Sequence, residues 1–581
     1  MDSYVLTLYD DAGNPIPIPA IQGIGIKNIR REGEVLEIEL DDGRVFAFAV
    51  GDGSAVSTDA ELYAAASAGG VITIAPDADI TVSQTLDLPA GTVILGNGAT
   101  IRRAAGFEEG MFNLSSDCRL ENFTIDGNRS AMVKPTWDKT YEVNMKTDAQ
   151  GCVVENITIN NGNEGIIVSG YDNIVRGCKL YDLGGNGIHF GAAYRCIAED
   201  CTVIGANKNA SVMGNSRGCI YTCMYVEDVD IVNCYCEDGL AGVGGVDAPD
   251  NAHIKIIGCT AKNCTAAIEG TYVPEGGPVD VVISDNQFID CGDIELLNRG
   301  HKYPPGDGLV ISGNLFTNAG IHLHGFLNVT ITGNTVRGGW IRADECPYCL
   351  ISGNVVDCLN DAGIYVRYSS NASISGNSVR NKGILVYASY CPRLLISGNT
   401  LRQKSGSTTT AECIKLNYSP EAAIDNNKMF LYSGNGIMLE SNCRTMGNYI
   451  IVADSSQIAI RVWGGNKNYV VAQNMSNGTY AIATGTNSVI QNNITIESTA
   501  FVDVVYTLTN ITTDGFAKAL TDDDFEFTLT AADGYSLPDA ITVTMGGTVL
   551  AAGTGYAYDN TSGKVTVYRV SGAVEVTAGG V

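Results

Sequence analysis

The sequence predicts an all-β protein: a right-handed parallel β-helix, flanked by a small N-terminal segment and a C-terminal β-sandwich. Three observations predict it. One phrase recurs along the chain, as Ile283-Ser284-Asp285-Asn286, Ile311-Ser312-Gly313-Asn314, Ile331-Thr332-Gly333-Asn334, Ile351-Ser352-Gly353-Asn354, Ile374-Ser375-Gly376-Asn377 and Ile396-Ser397-Gly398-Asn399, and such repetition marks a solenoid. Each copy carries alternating runs such as Gly363-Ile364-Tyr365-Val366-Arg367 bounded by Gly or Asn, which is the period of strands. The chain has 581 residues, too many for one ordinary compact core.

Composition narrows the function classes. Lys and Arg number 36 against 64 Asp and Glu, a net charge of −28 that repels phosphate backbones and anionic lipid, so nucleic acid is not an expected partner. Hydrophobic residues make up 45% and charged ones 17%, the balance of a folded chain. Met1 to Ala20 carries Asp2, Asp10 and Asp11, no Lys or Arg, and three prolines, which does not read as a secretion signal. No later stretch offers about 18 uncharged apolar residues, so no membrane insertion is expected. The 18 cysteines are spread through a large chain and read as reduced, buried thiols.

Taken in order, residues 1–50 form an N-terminal segment. Thr58-Asp59-Ala60-Glu61 is a capping box that opens a helix near 58–68, stopped at Gly69-Gly70 and placed to cover the first coil. The β-helix occupies 51–505. Its register extends from the clear phrases to landmarks at Asn427, Asn448, Asn474 and Asn493, and upstream to Cys259, Cys234, Cys201, Cys178, Asn156, Asn122 and Asn97, about 25 residues apart. Sixteen steps of about 4.8 Å give a rod of roughly 75 Å, and the crossover rule makes it right-handed. Each landmark Asn is expected to tolerate the left-handed backbone at a corner while bonding to the turns above and below. Cys is expected to replace it as a small buried residue. Residues 506–581 alternate with period two between Gly, Asp and Asn, as in a β-sandwich.

Three stretches resemble known families. Gly70-Val71-Ile72-Thr73-Ile74-Ala75 after the short helix, followed by Thr85-Leu86-Asp87-Leu88-Pro89-Ala90-Gly91-Thr92-Val93-Ile94-Leu95-Gly96-Asn97-Gly98-Ala99-Thr100, resembles the entrance of pectate-lyase-like β-helices in bacteriophage tailspikes. Tyr9-Asp10-Asp11-Ala12-Gly13-Asn14-Pro15-Ile16-Pro17-Ile18-Pro19-Ala20-Ile21-Gln22-Gly23 resembles the tail-attachment segment of some siphophage fibres, without their collagen-like continuation. Thr528-Leu529-Thr530-Ala531, Gly534-Tyr535-Ser536-Leu537-Pro538 and Ile541-Thr542-Val543-Thr544-Met545-Gly546-Gly547 resemble small immunoglobulin-like modules of Gram-positive phage tail and surface proteins. The resemblances imply a phage tailspike or tail-fibre receptor-binding protein, made in the host cytoplasm and located in the virion tail. They imply a homotrimer that contacts tail or baseplate proteins through its N-terminus and a bacterial surface glycan through the β-helix.

A solenoid works through outward side chains that repeat once per coil. Aligning Ile268, Ile294, Ile321, Ile341, Ile364, Ile384, Ile414 and Ile437 as inward residues places Glu269, Glu295, His322, Arg342, Tyr365, Leu385, Lys415 and Met438 outward. Two residues on, the column reads Thr271, Leu297, His324, Asp344, Arg367, Tyr387, Asn417 and Glu440. Glycan cleavage needs two carboxylates, so Glu295, Glu269, Asp344 and His322 are the catalytic candidates; Glu269 and Glu295 on neighbouring coils give about the 5 Å of a retaining pair, while Glu295 and Asp344 two coils apart approach the inverting spacing. His324, Arg342, Tyr365, Arg367 and Tyr387, with Arg299, His301 and Tyr303 from a loop at Leu297 to Gly308, are the sugar-contact candidates; a basic aromatic loop suits an acidic sugar. Leu385 and Met438 are apolar candidates for a threefold seam. His189 and Tyr221 are read as turn fillers several coils away.

The motifs that would fix an enzyme class are fragmentary. Of the polygalacturonase pattern only His324-Gly325 and Ile414-Lys415 appear, and Asp247 and Asp250 are too sparse for a pectate-lyase calcium site, so no metal or cofactor is expected. Cys346-Pro347-Tyr348-Cys349 imitates a redox motif but falls in a β-coil turn, not at a helix start. The readings left open are glycan recognition, glycan depolymerisation by a hydrolase or lyase on the same face, and a structural fibre shaft.

Overall fold

The computed structural model describes residues 55–581 except 134, 136–138, 208–217, 224, 247–251, 272–279, 298–305, 359–361, 405–411, 440–441, 463–468, 483–487 and 499, together with short backbone strands within 8–49. The helix spans Asp59–Ala68. Thr58 accepts from the Glu61 amide while the Glu61 carboxylate accepts from the Thr58 amide, so two of the free donors at the helix start are satisfied. Leu62 and Ala66 lie fully inside, and the Tyr63 hydroxyl accepts the Ser83 amide at 2.7 Å, fixing the helix as a lid over the first coil. Gly69 ends it with φ of 73°.

From Val71 onward each coil supplies three short parallel strands, each paired to its counterparts in the coils before and after. One coil, for example, comprises Val310–Ser312 and then the long bent strand Leu315–His324, whose two halves serve two faces. The result is a right-handed parallel β-helix of about 16 turns. Its interior is one continuous apolar column running from Leu62 to Val471, with aromatic steps such as Phe288 on Phe316 at 5.0 Å.

The landmark column divides two tasks that the sequence reading gave to one residue. The left-handed backbone belongs to the residue before each Asn: Asp285, Gly313, Gly333, Gly353, Gly376, Gly398, Asn426 and Gly447 all have φ between 57° and 68°. The Asn that follows turns inward and is buried. Each accepts at Oδ1 from the amide of the preceding coil's Asn and donates through Nδ2 to a carbonyl of that same preceding coil, as Asn377 does at 2.9 Å to Ile351. The ladder runs unbroken from Asn286 to Asn493. Upstream, Cys259, Cys234, Cys201 and Cys178 occupy the same buried position. Further up the landmarks were one or two residues early: Asn156, Asn122 and Asn97 are left-handed corner residues, and Ile157, Phe123 and Ala99 fill the inward position. Cys346 and Cys349 are both buried, and burial pushes the Cys346 thiol up to about 12, the opposite of a reactive redox cysteine.

Beyond the last coil strand at Ile494–Thr495, Phe501–Thr509 opens a second body. A five-stranded sheet, including Phe501–Thr509 paired in parallel with Val574–Gly579, stands with a four-stranded sheet of Ile511–Thr513, Phe525–Ala531, Lys564–Val567 and Tyr556–Tyr558. Phe525, Phe527, Val543, Val565 and Val576 form their common core. Tyr432 of the solenoid is part of that core: its hydroxyl accepts from the Leu520 amide at 2.8 Å and its ring packs on Phe501 and Phe516. An Arg380–Asp523 ion pair at 2.9 Å stands beside it.

Candidate functional site

Strand pairing fixes the outward columns directly. Glu269 pairs with Glu295, Glu295 with His322, His322 with Arg342, Arg342 with Tyr365, Tyr365 with Tyr387, Tyr387 with Lys415, Lys415 with Met438 and Met438 with Arg461. This is one uninterrupted column, and it corrects the predicted register at one coil. Ile384 pairs with Ala362, not with Ile364, so Tyr387 joins the first column while Leu385 points inward and is fully buried. The second column runs Leu297, His324, Asp344, Arg367, Ser389 and Asn417. Met438 keeps its outward position in the register but is only 4% exposed. Leu385 and Met438 are therefore unavailable for a subunit seam.

His189 and Tyr221 also differ from expectation. They are paired strand residues on the N-terminal continuation of this face, not turn fillers. Desolvation pushes the His189 imidazole down to about 4, so it is neutral at physiological pH. The sequence signal that could have placed them was the repeated inward aliphatic before each, Ile188 and Ile220. Arg299, His301 and Tyr303 lie outside the described residues, as do Glu440, Asp247 and Asp250.

The centre of the face is an ionic cluster built on Asp344. Arg342, two residues earlier on the same strand, donates to Asp344 Oδ2 from Nε at 2.8 Å and lies 2.7 Å away through Nη2. Arg367, one coil on, donates to Oδ1 at 3.2 Å, and His322 Nε2 stands 3.8 Å from Oδ2. The Asp344 side chain is 3% exposed. Burial opposes its ionisation, but His322, Arg342 and Arg367 together outweigh burial and hold the carboxyl down at about 2. Asp344 is thus an anchor that stays ionised at neutral pH, unsuited to donate a proton, and this removes it from the general-acid candidates.

The anchor orients cations over aromatic rings. Arg342 sits 5.1 Å and Arg367 5.7 Å from the Tyr365 ring centroid, and Tyr365 stacks on Tyr387 at 4.7 Å and 16°. Asn417 Nδ2 donates to the Tyr387 hydroxyl at 3.0 Å. Four consecutive coils therefore present guanidinium edges, a phenol pair and an amide on a rigid floor. On the N-terminal side, Glu295 and Glu269 are partly exposed on consecutive coils beside His322. The structure brings together Glu269, Glu295, His322, Arg342, Tyr365 and Tyr387 in one column, with His324, Asp344 and Arg367 in the next.

Residues 275–411 and 339–495 match the family described as right handed beta helix region. No curated protein matches the sequence. Among solved structures, the chain aligns with the pre-mature gene product 12 of bacteriophage phi29 at 14% identity and a TM-score of 0.47, covering 90% of this chain and 82% of that one. It aligns with a double mutant of the tailspike protein of E. coli bacteriophage HK620 in complex with a pentasaccharide at 13% identity and a TM-score of 0.36, covering 91% and 89%. For tailspike protein 3 of bacteriophage CBA120 the values are 10% identity, a TM-score of 0.30, 80% and 65%.

Proposed function

We propose that this chain is a receptor-binding component of a bacteriophage tail that holds a bacterial surface polysaccharide on the outward face of its β-helix. The observation that carries the reading is the Arg342–Asp344–Arg367 cluster set against the Tyr365–Tyr387 stack. Guanidinium groups held in place by a buried carboxylate offer hydrogen-bond donors without a large ordering cost, and the phenol rings offer apolar faces for the C–H side of a pyranose. Two arginines against one aspartate leave a local positive balance in a chain of net charge −28, which favours a glycan bearing carboxylate or phosphate groups. Residues 1–50, with their resemblance to tail-attachment segments, dock the protein on the tail, and the assembly is a homotrimer in the virion tail. With Leu385 and Met438 buried, the trimer rests on the resemblance and not on those side chains.

The test is an array of immobilised bacterial capsular, O-antigen and teichoic-acid polysaccharides probed with the purified full-length chain. Binding to at least one polysaccharide is expected, weakened about tenfold or more by Tyr365→Ala with Tyr387→Ala. Failure to bind any polysaccharide or any intact bacterial cells overturns the proposal.

A second reading, glycan depolymerisation, is favoured by one observation. Glu269 and Glu295 are direct cross-coil partners, about 4.8 Å apart along the stack, next to His322. That is near the separation of a retaining carboxylate pair. If the chain cleaves its glycan, Glu295→Gln keeps the fold, because the side chain points outward, and lowers turnover by about a hundredfold or more. Release of reducing ends measures it, and ultraviolet-absorbing unsaturated products distinguish a lyase. Turnover within twofold of wild type places the reaction elsewhere.

A further inference from the structure

A second set of side chains borders this face at the corner where each coil leaves it. Gly325, Glu345, Tyr368, Tyr390 and Tyr418 stand in one column. The Gly325 amide donates to Asp344, Glu345 to Arg367, Tyr368 to Ser389 and Tyr390 to Asn417, one coil per step. All five have positive φ, with 50°, 56° and 47° for the three tyrosines. Elsewhere this backbone is occupied mostly by Asn, Asp and Gly, which adopt it at low cost. A tyrosine in the left-handed region is strained, and three in succession require a reason.

The three rings stack, with centroids 5.0 and 5.1 Å apart and planes within 10° and 13°. They are also the most exposed aromatic group near the face: Tyr368 is 51%, Tyr390 44% and Tyr418 65% exposed. Among the described residues no hydrogen bond involves their hydroxyls. Stapling the coils together does not account for this arrangement. The buried Asn ladder already does that in the same coils, and the Tyr365–Tyr387 stack achieves it on ordinary strand backbone. The column is continuous with the face, because the Arg367 guanidinium lies 5.7 Å from the centroids of both Tyr365 and Tyr368.

We infer that the Tyr368–Tyr390–Tyr418 column is a second sugar-contact track, which takes the length of a polysaccharide extending past the arginine–tyrosine face. The inference rests on the reading that the face holds a glycan. Stacked rings viewed from the side present an apolar rim of C–H groups and, at its outer edge, one free hydroxyl per coil. A polysaccharide presents the complement at nearly the same interval: C–H patches and hydroxyls on each ring. Arg367 meets the track at its Tyr368 end, one coil after Glu345, and among the described residues no cation stacks on the Tyr390 or Tyr418 ring. The segment over those two rings is therefore uncharged, while an anionic residue lies at Arg342 and Arg367. The ligand is a long chain with neutral sugars between charged ones, not a terminal monosaccharide.

The test is the triple variant Tyr368→Asn, Tyr390→Asn and Tyr418→Asn. Asparagine accepts the left-handed backbone, as Asn371 and Asn426 do in this chain, so circular dichroism and the melting temperature should match or exceed wild type. Wild type and variant are compared on the same array of capsular, O-antigen and teichoic-acid polysaccharides, and on partial-hydrolysis fragments of whichever polysaccharide binds. The expected result is about a tenfold loss for the intact polymer, with fragments of four sugars or fewer bound within twofold. Polymer binding equal to wild type overturns the inference and leaves the face reading standing. If wild type binds no polysaccharide, both fall together. If the variant changes the oligomeric mass by light scattering while polymer binding is unchanged, the column is a seam between copies and the inference is wrong.

Discussion

The substitution Asn377→Ala tests the ladder that sets the coil register. Asn377 is 1% exposed and its side chain serves four bonds. Its Oδ1 accepts from the Asn354 amide at 2.9 Å and from Asn354 Nδ2 at 3.0 Å; its Nδ2 donates to Ile351 and to Asn399 Oδ1, each at 2.9 Å. Removing the amide leaves Asn399 Oδ1 with the Asn377 backbone N–H and the Ile351 carbonyl in its strand ladder, but strands two donors in a dry interior: the Asn354 amide and one Asn354 Nδ2 proton. At about 1–3 kcal/mol for each orphaned group, the loss is roughly 2 kcal/mol or more. Asn377→Cys should cost clearly less, because the chain shows the replacement at work: the Cys234 amide donates to Cys259 Sγ at 3.4 Å and that thiol donates to the Ile231 carbonyl at 3.6 Å. Guanidinium unfolding followed by circular dichroism gives the stability difference, or the unfolding rate where refolding is incomplete. Hydrogen exchange localises it, since stability in a solenoid is shared between nearest neighbours. If the alanine variant lies within about 0.5 kcal/mol of wild type and the Asn354 amide exchanges as slowly as before, the ladder is not what holds the coils.

Two further perturbations read buried charge. Asp344 is held at about 2 in the fold, below its unfolded value, so its contribution is present above about pH 4 and is lost as pH falls through 2. Discounted for solvent screening it amounts to about 1–2 kcal/mol, and Asp344→Asn should flatten the acid limb of the stability profile by that amount while loosening Arg342 and Arg367; an unchanged acid limb contradicts the cluster. Arg103 and Glu142 form a fully buried pair at 3.2 Å in the N-terminal coils, and among the described residues Arg103 Nε and Glu142 Oε2 have no hydrogen-bond partner. Burial pushes the Glu142 carboxyl up to about 7 despite Arg103, so its contribution is present below its unfolded value and is lost as pH rises through 7. Arg103→Ala should cost about 3–5 kcal/mol, while Arg103→Met with Glu142→Leu should return near wild type; a double variant as unstable as the single one refutes this account.

The fold was legible because one residue type at one position recurs. Each Ile-Ser-Gly-Asn phrase gives strand, corner and inward amide in four residues, and the capping box at Thr58 needs only local chemistry. The failures have local causes too. Asn97, Asn122 and Asn156 resemble ladder residues because Asn also suits the left-handed corner beside the ladder, and composition alone does not separate the two positions. At Ile384-Leu385-Val386 three aliphatics in succession abolish the alternation that tells inside from outside, so the pattern points to the first as the inward residue and sets Tyr387 in the wrong column. The burial of Asp344 was invisible because an outward position is normally wet; it is dry here only because two arginines from the same and the next coil close over it.

The tyrosine track shows what a repeat hides. Tyr368, Tyr390 and Tyr418 are separated by 22 and 28 residues, yet their rings lie 5.0 and 5.1 Å apart. Unequal coil lengths erase any periodic signal in the sequence. Only the backbone pairing, Tyr368 to Ser389 and Tyr390 to Asn417, restores the column. Function on such a solenoid can therefore change in two separable ways: by altering a loop between strands, or by replacing a corner Asn, Asp or Gly with a side chain that reaches a ligand. The second change keeps every ladder bond intact and costs only local backbone strain, so a corner column is where a β-helix can acquire a new contact surface with least risk to its fold.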